Sequence, residues 1–256
     1  MNRIPKISVI TVAFNSVRTI KDTIQSILRQ DYQNIEYIII DAGSTDGTIE
    51  VIKSFKTHIS YFISETDKGI YDGMNKGIRA STGDLIGILN SDDFYPNNFI
   101  LSNVAKTFIS NKCDAVYGDL VYVKDYDIKK IVRYWQAGNY SSLKIKNGWM
   151  LPHPTFFVRK KIYDRFGLYN TELKNAADYE MILKLLYKEN ISVKYIPMIL
   201  VNMRMGGASN SSLLNRIKAN HEDGLAWTKN QLNKPLFIRI KKPLLKIKQF
   251  FLKPRI

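Results

Sequence analysis

The sequence has very little cysteine and no long apolar run. Cys113 is its single cysteine, which excludes an internal disulfide framework and is typical of a reducing compartment. A membrane-spanning helix requires roughly 18 or more consecutive apolar residues, and no stretch approaches that length. The first residues pass into a strand-like segment without the apolar region and cleavage site of a signal peptide. We therefore expect a cytoplasmic protein that touches a membrane but does not cross it.

A glycine-rich loop is missing after the first apolar segment, at residues 7–14. Residues 13–17 read Ala-Phe-Asn-Ser-Val. They do not match the G-x-G-x-x-G of dinucleotide enzymes, and they do not match the glycine-rich basic loop by which a nucleotidyltransferase binds a triphosphate. The sequence thus argues against a dinucleotide-dependent oxidoreductase and leaves a nucleotidyltransferase as a weaker alternative.

Acidic residues are also missing from the end of the chain. None follows Asp223, whereas nine lysines and arginines do, so the formal net charge of +15 is largely a property of the tail. Such an excess favours an anionic partner. Because most aromatic residues fall within buried strands rather than between basic residues, we do not expect that partner to be a nucleic acid.

The tail, residues 229–256, combines its charges with a helical apolar pattern. Apolar residues recur at three- and four-residue steps, namely Phe237, Ile240, Leu244, Ile247 and Phe251. This pattern is typical of a helix that lies on an anionic membrane surface, although Pro243 should kink or split it. An ordinary helix that packs on the domain with a solvated basic face is the alternative interpretation.

Apolar strand-like runs alternate with helical patterns through the first half of the chain. The predicted strands are residues 7–14, 37–40, 59–64, 84–89 and 115–123. In the second half we predict strands at 131–135, 155–158 and 193–196, one or two of them antiparallel, and a helix at about 177–187. The alternation predicts an α/β fold, a Rossmann-like mixed sheet flanked by helices, with ligands bound beyond the carboxyl ends of the strands.

Polar residues cluster where the early strands end. The clusters contain Thr11 and Asn15, then Asp41, then Glu65 and Asp67, then the run Asn90-Ser91-Asp92-Asp93. Adjacent carboxylates after a buried strand repel each other unless a cation or hydrogen bonds compensate them. A hard divalent ion, held by carboxylates and by substrate phosphates, is the natural compensation. A polar turn before Pro96, with an aspartate as helix cap, is the alternative.

Four segments carry a family resemblance through their order and spacing. Residues 10–15 (Ile-Thr-Val-Ala-Phe-Asn), 41–48 (Asp-Ala-Gly-Ser-Thr-Asp-Gly-Thr), 67–77 and 89–93 (Leu-Asn-Ser-Asp-Asp) resemble family 2 glycosyltransferases of the GT-A fold. The similarity extends over roughly residues 5–220 and includes residues 149–157 and 176–180. It is greatest to small, non-processive bacterial members that build surface polysaccharides. The Gln-x-x-Arg-Trp motif and the membrane helices of processive members are absent from the sequence.

The resemblance implies roles for individual residues. Asp93 would hold Mn²⁺ or Mg²⁺, and Asp178 would be the catalytic base. His153 and Trp149 would lie near the acceptor. The donor-binding residues would be Thr11, Ala13, Asn15, Asp41, Asp67, Lys68, Asn75, Lys76 and Asp92.

Two positions depart from the family pattern. Many members carry arginine where this chain has Met74, so Lys68, Lys76 or Arg204 would have to supply a positive charge to the donor phosphates. Relatives often carry glutamate where this chain has Ala177, which removes one contact beside the base.

The resemblance also implies a domain plan and an activity. Residues 1–228 would form the GT-A domain, with a nucleotide-sugar-binding half at 1–123 and an acceptor-binding half at 124–228. We expect a non-processive, inverting enzyme that moves a sugar from a nucleotide diphospho-sugar to a saccharide or lipid-linked saccharide in bacterial cell-surface polysaccharide synthesis, at the inner face of the cell membrane. The non-enzymatic alternative is a basic protein that binds a membrane or a nucleic acid, and it leaves the strand-end carboxylates unexplained.

Overall fold

The computed structural model describes residues 4–206, 213–236 and 238–254, and they contain an eight-stranded sheet. The strands are β1 (Ile7–Ala13), β2 (Ile35–Asp41), β3 (Tyr61–Ser64), β4 (Leu85–Ile88), β5 (Ala115–Val123), β6 (Ile131–Trp135), β7 (Phe157–Arg159) and β8 (Val193–Arg204). Their order is β3-β2-β1-β4-β7-β5. β7 and β6 pair with successive parts of one edge of β5, at its beginning and its end. β8 pairs along the opposite edge.

The sheet is mixed, as predicted. β1 to β4 are mutually parallel, and β8 runs parallel to β5. β7 is antiparallel to both β4 and β5, and β6 is antiparallel to β5. The expectation of one or two antiparallel strands in the second half is therefore confirmed, and so is the α/β fold class.

Helices cover both faces of this sheet. They are α1 (Ile20–Leu28), α2 (Thr48–Ser54), α3 (Ile70–Ala80), α4 (Ile100–Asn111), α5 (Ser142–Lys146), α6 (Lys160–Phe166), α7 (Ala177–Ile182), α8 (Leu213–Lys229) and α9 (Ile238–Ile247). Alternate residues of a strand point to opposite faces, so Ile10 and Val12 join the core on one face while Ile7 and Val9 join the core on the other. Burial on both sides explains why the early strands read as continuous apolar runs.

Strand β8 is longer than predicted because it continues through Pro197. Its pairing with β5 shifts register between Tyr117 and Asp119, at the point where Pro197 interrupts the ladder. A proline is tolerated in a strand at such a bulge because no ladder hydrogen bond is required of it. The extension carries the strand to Arg204, which brings that residue to the carboxyl edge of the sheet.

Two other elements differ from their predicted form because of local backbone geometry. Strand β7 begins two residues later than predicted because His153–Thr155 form a 3-10 turn between Pro152 and Phe156. The helix predicted at 177–187 changes from α-helical to π-helical geometry at Leu183–Lys188.

Helix α9 packs one face on the domain. The ammonium of Lys242 donates to the carboxylate of Asp223 in α8 over 2.6 Å and lies 3.5 Å from the ring centroid of Tyr179 in α7. The helix continues through Pro243 to Ile247 and ends in a 3-10 turn, Lys248–Phe250, so it is not split there. Phe237 lies outside the described residues. Within the part of the chain that the structure describes, no helix combines the length and apolarity that crossing a bilayer requires.

Candidate active site

The predicted polar clusters meet at one edge of the sheet. This edge is formed by the carboxyl ends of β1, β2, β3 and β4. The loops after β1 and β4 are joined by a hydrogen bond between the hydroxyls of Ser16 and Ser91, 2.7 Å apart. The loops after β1 and β2 are joined where the backbone N–H of Asn15 donates to the Ser44 hydroxyl over 2.8 Å. The sequence therefore correctly placed these clusters on one rim.

The side chains after β1 and β2 shape the wall of this rim. Asn15 has a φ of 47°, a left-handed backbone that asparagine tolerates, and its Oδ1 accepts from the N–H of Thr45. Asp41 is fully buried, and its carboxylate accepts from the backbone of Ser44 and from the hydroxyl of Ser64. These bonds fix the loop that follows β2, so a nucleoside contact by Asp41 would have to compete with them.

Thr11 and Ala13 are buried in β1. The Thr11 hydroxyl accepts a hydrogen bond from the Tyr37 hydroxyl over 3.2 Å, and Ala13 forms the end of the strand. Both residues therefore help to fix the position of β1, and with it the position of the loop that β1 contributes to the rim. Their predicted contact with the nucleoside stays a prediction.

The start of α3 carries the next group of predicted donor residues. Asp67 is half-buried and accepts from the N–H of Gly69, while Lys68 is exposed. The ammonium of Lys76 lies 2.8 Å from the carboxylate of Glu65. Asn75 is buried, and its amide exchanges two 2.9 Å hydrogen bonds with the backbone of Tyr169. Asn75 thus joins α3 to the segment before α7, a role that the sequence did not reveal.

The carboxylate of Asp93 has the properties of a metal ligand. Asp93 is fully buried, its Oδ2 accepts from the amide of Asn90 over 3.2 Å, and its Oδ1 has no hydrogen-bond partner. Burial and the negative charge of Asp92 raise the pKa of Asp93 well above its usual range, and burial also raises the pKa of Asp92. An unpartnered buried carboxylate oxygen beside a second carboxylate fits a hard divalent cation.

The carboxylates of Asp92 and Asp93 could hold a cation only if other groups complete its coordination. No group of three or more histidine, cysteine, aspartate or glutamate side chains could form a metal cage among residues 4–206, 213–236 and 238–254. One or two carboxylates completed by substrate phosphates and water is the arrangement that Mg²⁺ commonly adopts. The residues present therefore fit the predicted ion, held by Asp93 with Asp92 beside it.

Arg204 supplies positive charge to the same place. Its guanidinium is buried against the ring of Phe94, 5.1 Å from the centroid, and forms an ion pair with Asp22. Its charge acts on both Asp92 and Asp93. Met74, where relatives carry arginine, is buried in the core. Of the three cations proposed from sequence to replace the missing arginine, Arg204 is thus the one beside the paired carboxylates.

Asp178 lies in the first turn of α7 and is half-buried. Its Oδ1 accepts a 3.0 Å hydrogen bond from the hydroxyl of Tyr71 in α3. Burial and the charge of Asp178 raise the pKa of Tyr71, so the phenol stays protonated and remains a donor. A carboxylate oriented by one donor, with its second oxygen left for a substrate, has the geometry of a general base.

Glu222 of α8 fixes the start of α7. Its carboxylate accepts from the backbone N–H groups of Asn175 over 2.8 Å and Ala176 over 3.1 Å. These groups precede the helix and would otherwise be unpaired, because α7 has no side-chain cap of its own. Glu222 therefore positions the turn that carries Asp178, and sequence reasoning missed it because the contact crosses 46 positions or more.

His153 lies behind the candidate base rather than beside it. Its Nε2 is 2.7 Å from the hydroxyl of Tyr169, whose ring stacks on Tyr71 at 5.8 Å. Burial lowers the pKa of His153, although the charge of Asp178 opposes this, so the imidazole is neutral near pH 7. The structure shows His153 supporting Tyr169, and direct contact with an acceptor stays a prediction.

Trp149 is part of the packing near β5. Its indole N–H donates to the carbonyl of Ala137 over 2.7 Å, and its ring lies 5.9 Å from the rings of both Tyr117 and Tyr140. These contacts support the alternative that Trp149 is a core residue. Stacking of its ring on a sugar stays a prediction.

Tyr122 connects the two halves of the site. It lies on β5, where burial raises its pKa, the guanidinium of Arg133 opposes this, and the charges of Asp93 and Asp178 add to the effect of burial. The candidate metal ligand and the candidate base therefore lie within electrostatic reach of one hydroxyl. Nothing in the local sequence distinguishes this tyrosine from its neighbours in a buried strand.

A cavity among the described residues lies away from this rim. It measures about 300 Å³ and includes Asp114 and Ile191 in its lining. These residues precede β5 and β8, so the cavity is at the amino edge of these strands, opposite the rim. We assign no catalytic role to it.

Comparison with known proteins gives a consistent family assignment. An uncharacterized glycosyltransferase of Mycobacterium tuberculosis strain H37Rv is 29% identical over 189 residues, which cover 72% of this chain and 70% of that protein. A PGL/p-HBAD biosynthesis glycosyltransferase of Mycobacterium bovis BCG is 26% identical over 213 residues, covering 81% of this chain and 80% of the relative.

Solved structures share the fold. Staphylococcus aureus TarS residues 1–349 in complex with UDP-GlcNAc superposes with a TM-score of 0.67 at 17% identity, covering 90% of this chain and 68% of that one. The mannosyltransferase PcManGT of Pyrobaculum calidifontis, in complex with GDP-Man and Mn²⁺, has a TM-score of 0.67 at 17% identity and covers 97% of this chain and 70% of that one. The model of glycosyl transferase family 2 matches residues 8–168, more than half of the chain, and the protein therefore belongs to that family and has its GT-A fold.

Proposed function

We propose that this glycosyltransferase is non-processive and inverting, and that it transfers a sugar from a nucleotide diphospho-sugar to a saccharide acceptor. One observation carries the proposal. The buried carboxylate of Asp93 has one unpartnered oxygen, and the carboxylate of Asp178 is oriented by the Tyr71 hydroxyl. A diphosphate-binding cation and a general base are the two elements that a single displacement requires.

The proposed step is one displacement at the anomeric carbon. Asp178 accepts the proton of the acceptor hydroxyl as that oxygen forms the new glycosidic bond. The bond from the anomeric carbon to the diphosphate breaks on the opposite face, and the nucleoside diphosphate leaves with the electron pair. A bound divalent ion would offset the negative charge of the leaving group, and Arg204 adds a permanent positive charge nearby.

The structural neighbours support the donor class. TarS structures contain UDP or UDP-GlcNAc, and the PcManGT structure contains GDP-Man with Mn²⁺. For this chain we propose a nucleotide diphospho-sugar together with Mn²⁺ or Mg²⁺.

A donor panel tests this proposal. Purified protein is incubated with UDP-, GDP- and dTDP-sugars, with Mn²⁺, with Mg²⁺ or with EDTA, and release of nucleoside diphosphate is measured. We expect metal-dependent release from one donor class, abolished by EDTA and restored by excess metal. The proposal fails if no donor is hydrolysed under any of these conditions and calorimetry detects binding of none of them.

The acceptor is proposed to be a lipid-linked saccharide at the inner face of a bacterial cell membrane. The outward side of α9 and its extension is apolar: Leu244 is 56% exposed, Ile247 52% and Phe251 81%. A surface helix usually buries its apolar side and exposes its charged side. Here the inward side carries the buried Lys242, so that arrangement is reversed. Exposed Lys241, Lys248 and Lys253 accompany this apolar surface. Apolar insertion bordered by lysines matches an anionic bilayer.

Vesicle binding tests the membrane contact. The double variant Leu244→Ser and Phe251→Ser should bind 3:1 phosphatidylcholine:phosphatidylglycerol vesicles at least about tenfold more weakly than wild type, because two partly inserted apolar side chains are lost. Phe99→Ser is the matched control, since Phe99 is 58% exposed but lies before α4. Co-sedimentation gives the binding constants. Equal binding by all three proteins would contradict the assignment of this surface.

A further inference from the structure

Helix α9 is fixed beside the candidate base at two points. At one, Lys242 lies over the ring of Tyr179, the residue that follows Asp178. At the other, the Oε1 of Gln249, in the 3-10 turn, accepts from the Nε of Arg133 in β6 over 2.7 Å. Lys246 lies between these points, one helical turn after Lys242. The tail therefore packs beside the helix that carries the candidate base.

The ammonium of Lys246 faces other charges of this region. Although Lys246 is exposed, partial burial against the domain and the positive charges of Lys242 and Arg133 lower its pKa to about 8. The negative charges of Asp223 and Asp178 act on it in the opposite direction. In the described ranges no carboxylate lies within ion-pair distance of Lys246, whereas Lys242 is paired with Asp223.

Arg133 is held in a rigid aromatic setting. Its guanidinium lies 4.5 Å from the ring centroid of Tyr122, 5.6 Å from that of Trp135 and 5.4 Å from that of Phe250. It is thus oriented by the tail on one side and by the ring of Tyr122 on the other. A guanidinium fixed in this way is suited to bind a phosphate oxygen with little further loss of entropy.

We infer that Lys246 and Arg133 form a binding site for the phosphate or diphosphate that links the acceptor saccharide to its lipid. The inference rests on the proposed function, because it requires a lipid-linked acceptor. The alternative source of phosphate, the donor, has its own cations at the Asp93 end, where Arg204 lies. Arg133 instead contacts Gln249 and Phe250 of the tail, Lys246 lies on the preceding turn, and the exposed Ile247 and Phe251 are on the same segment. A phosphate there would lie between the sugar site and the lipid.

Binding of small lipid and phosphate ligands tests this site without requiring sugar transfer. The probes are farnesyl diphosphate, inorganic pyrophosphate and farnesol, with UDP and GDP plus Mn²⁺ as donor-side ligands, all measured by calorimetry. Lys246→Ala should weaken farnesyl diphosphate and pyrophosphate about tenfold or more, since it removes a charge-assisted hydrogen bond. Lys246→Arg should retain their binding. Lys234→Ala is the matched control, because Lys234 is an exposed lysine that precedes α9 and belongs to neither proposed binding surface.

The pattern of losses distinguishes the possible sources of phosphate. Binding of the nucleoside diphosphates should be unchanged in Lys246→Ala, and an equal loss there would move the site to the donor and overturn the inference. Loss of vesicle binding with no change for farnesyl diphosphate would show that Lys246 contacts lipid headgroups, which also overturns it. Unchanged binding of every probe by Lys246→Ala would also overturn the inference. Because no sugar transfer is measured, failure of the donor panel would leave a positive result here intact.

Neutralisation of Lys246 provides a second readout. Between pH 7 and pH 9.5 wild type should lose pyrophosphate affinity relative to Lys246→Arg, because a lysine with a lowered pKa loses its proton in this interval and an arginine does not. Parallel pH profiles for the two proteins would contradict a direct contact.

Discussion

Asp178→Asn is expected to lower kcat by about 10²–10⁴-fold, the usual contribution of a positioned general base. The amide has nearly the same shape and can still accept from the Tyr71 hydroxyl, which is 3.0 Å from the carboxylate in the wild-type chain. It cannot take a proton from the acceptor. The affinity for the donor should change little, because the proposed diphosphate site is formed by other carboxylates, Asp92 and Asp93. The measurement is steady-state transfer with the donor identified by the panel, with donor affinity from calorimetry.

Glu172→Gln is the matched control for this loss. It makes the same change from acid to amide six positions earlier, at an exposed carboxylate that pairs with Lys229 on the surface. We expect kcat within a factor of about two of wild type, as for most surface substitutions. If Asp178→Asn also keeps wild-type kcat, another group accepts the proton and the proposed mechanism is wrong.

The sheet and its functional rim were predictable because they depend on local patterns. Burial on both faces gives β1 and β2 continuous apolar runs, and the carboxyl ends of parallel strands necessarily meet at one edge. The polar residues that follow those strands, such as Asn15 and Asp93, therefore had to converge. Family resemblance added roles for these residues, but the convergence follows from the fold.

The contacts that orient the site were not predictable, because they join residues distant in sequence. Glu222 caps the start of α7 across 46 or more positions, and Asn75 binds the backbone of Tyr169 across 94. No periodicity marks such pairs. The tail shows the same limit, since its pattern gave an amphipathic helix but not which side faces the domain. The inward Lys242 is stabilised by Asp223 and Tyr179, and both belong to other helices.

Asp93→Asn is expected to abolish metal-dependent catalysis, with kcat/KM at least about 100-fold lower, the order of loss found when stabilisation of a developing charge is removed. The reason is that the amide keeps the volume of the side chain but not its charge. Wild type should gain about 2.7 kcal/mol of stability from a ligand at one hundred times its Kd, or roughly 5–10 °C in Tm for a chain of this size. Mn²⁺ with the selected nucleoside diphosphate should produce this gain in wild type and not in Asp93→Asn.

The pH dependence of the metal-free protein separates a metal site from a polar turn. A carboxyl whose folded pKa is raised stabilises the fold below its unfolded pKa, and this contribution is lost as the pH rises through the folded pKa. Metal-free wild type should therefore lose thermal stability relative to Asp93→Asn as the pH rises above about 4, the unfolded pKa of an aspartate, and bound Mn²⁺ should remove that difference. Asp164→Asn, at an exposed ion pair with Lys160, should follow wild type throughout. If Mn²⁺ leaves the pH profile of wild type unchanged, the carboxylate of Asp93 does not bind the ion, and the charge of the diphosphate must be offset by Arg204 and its neighbours.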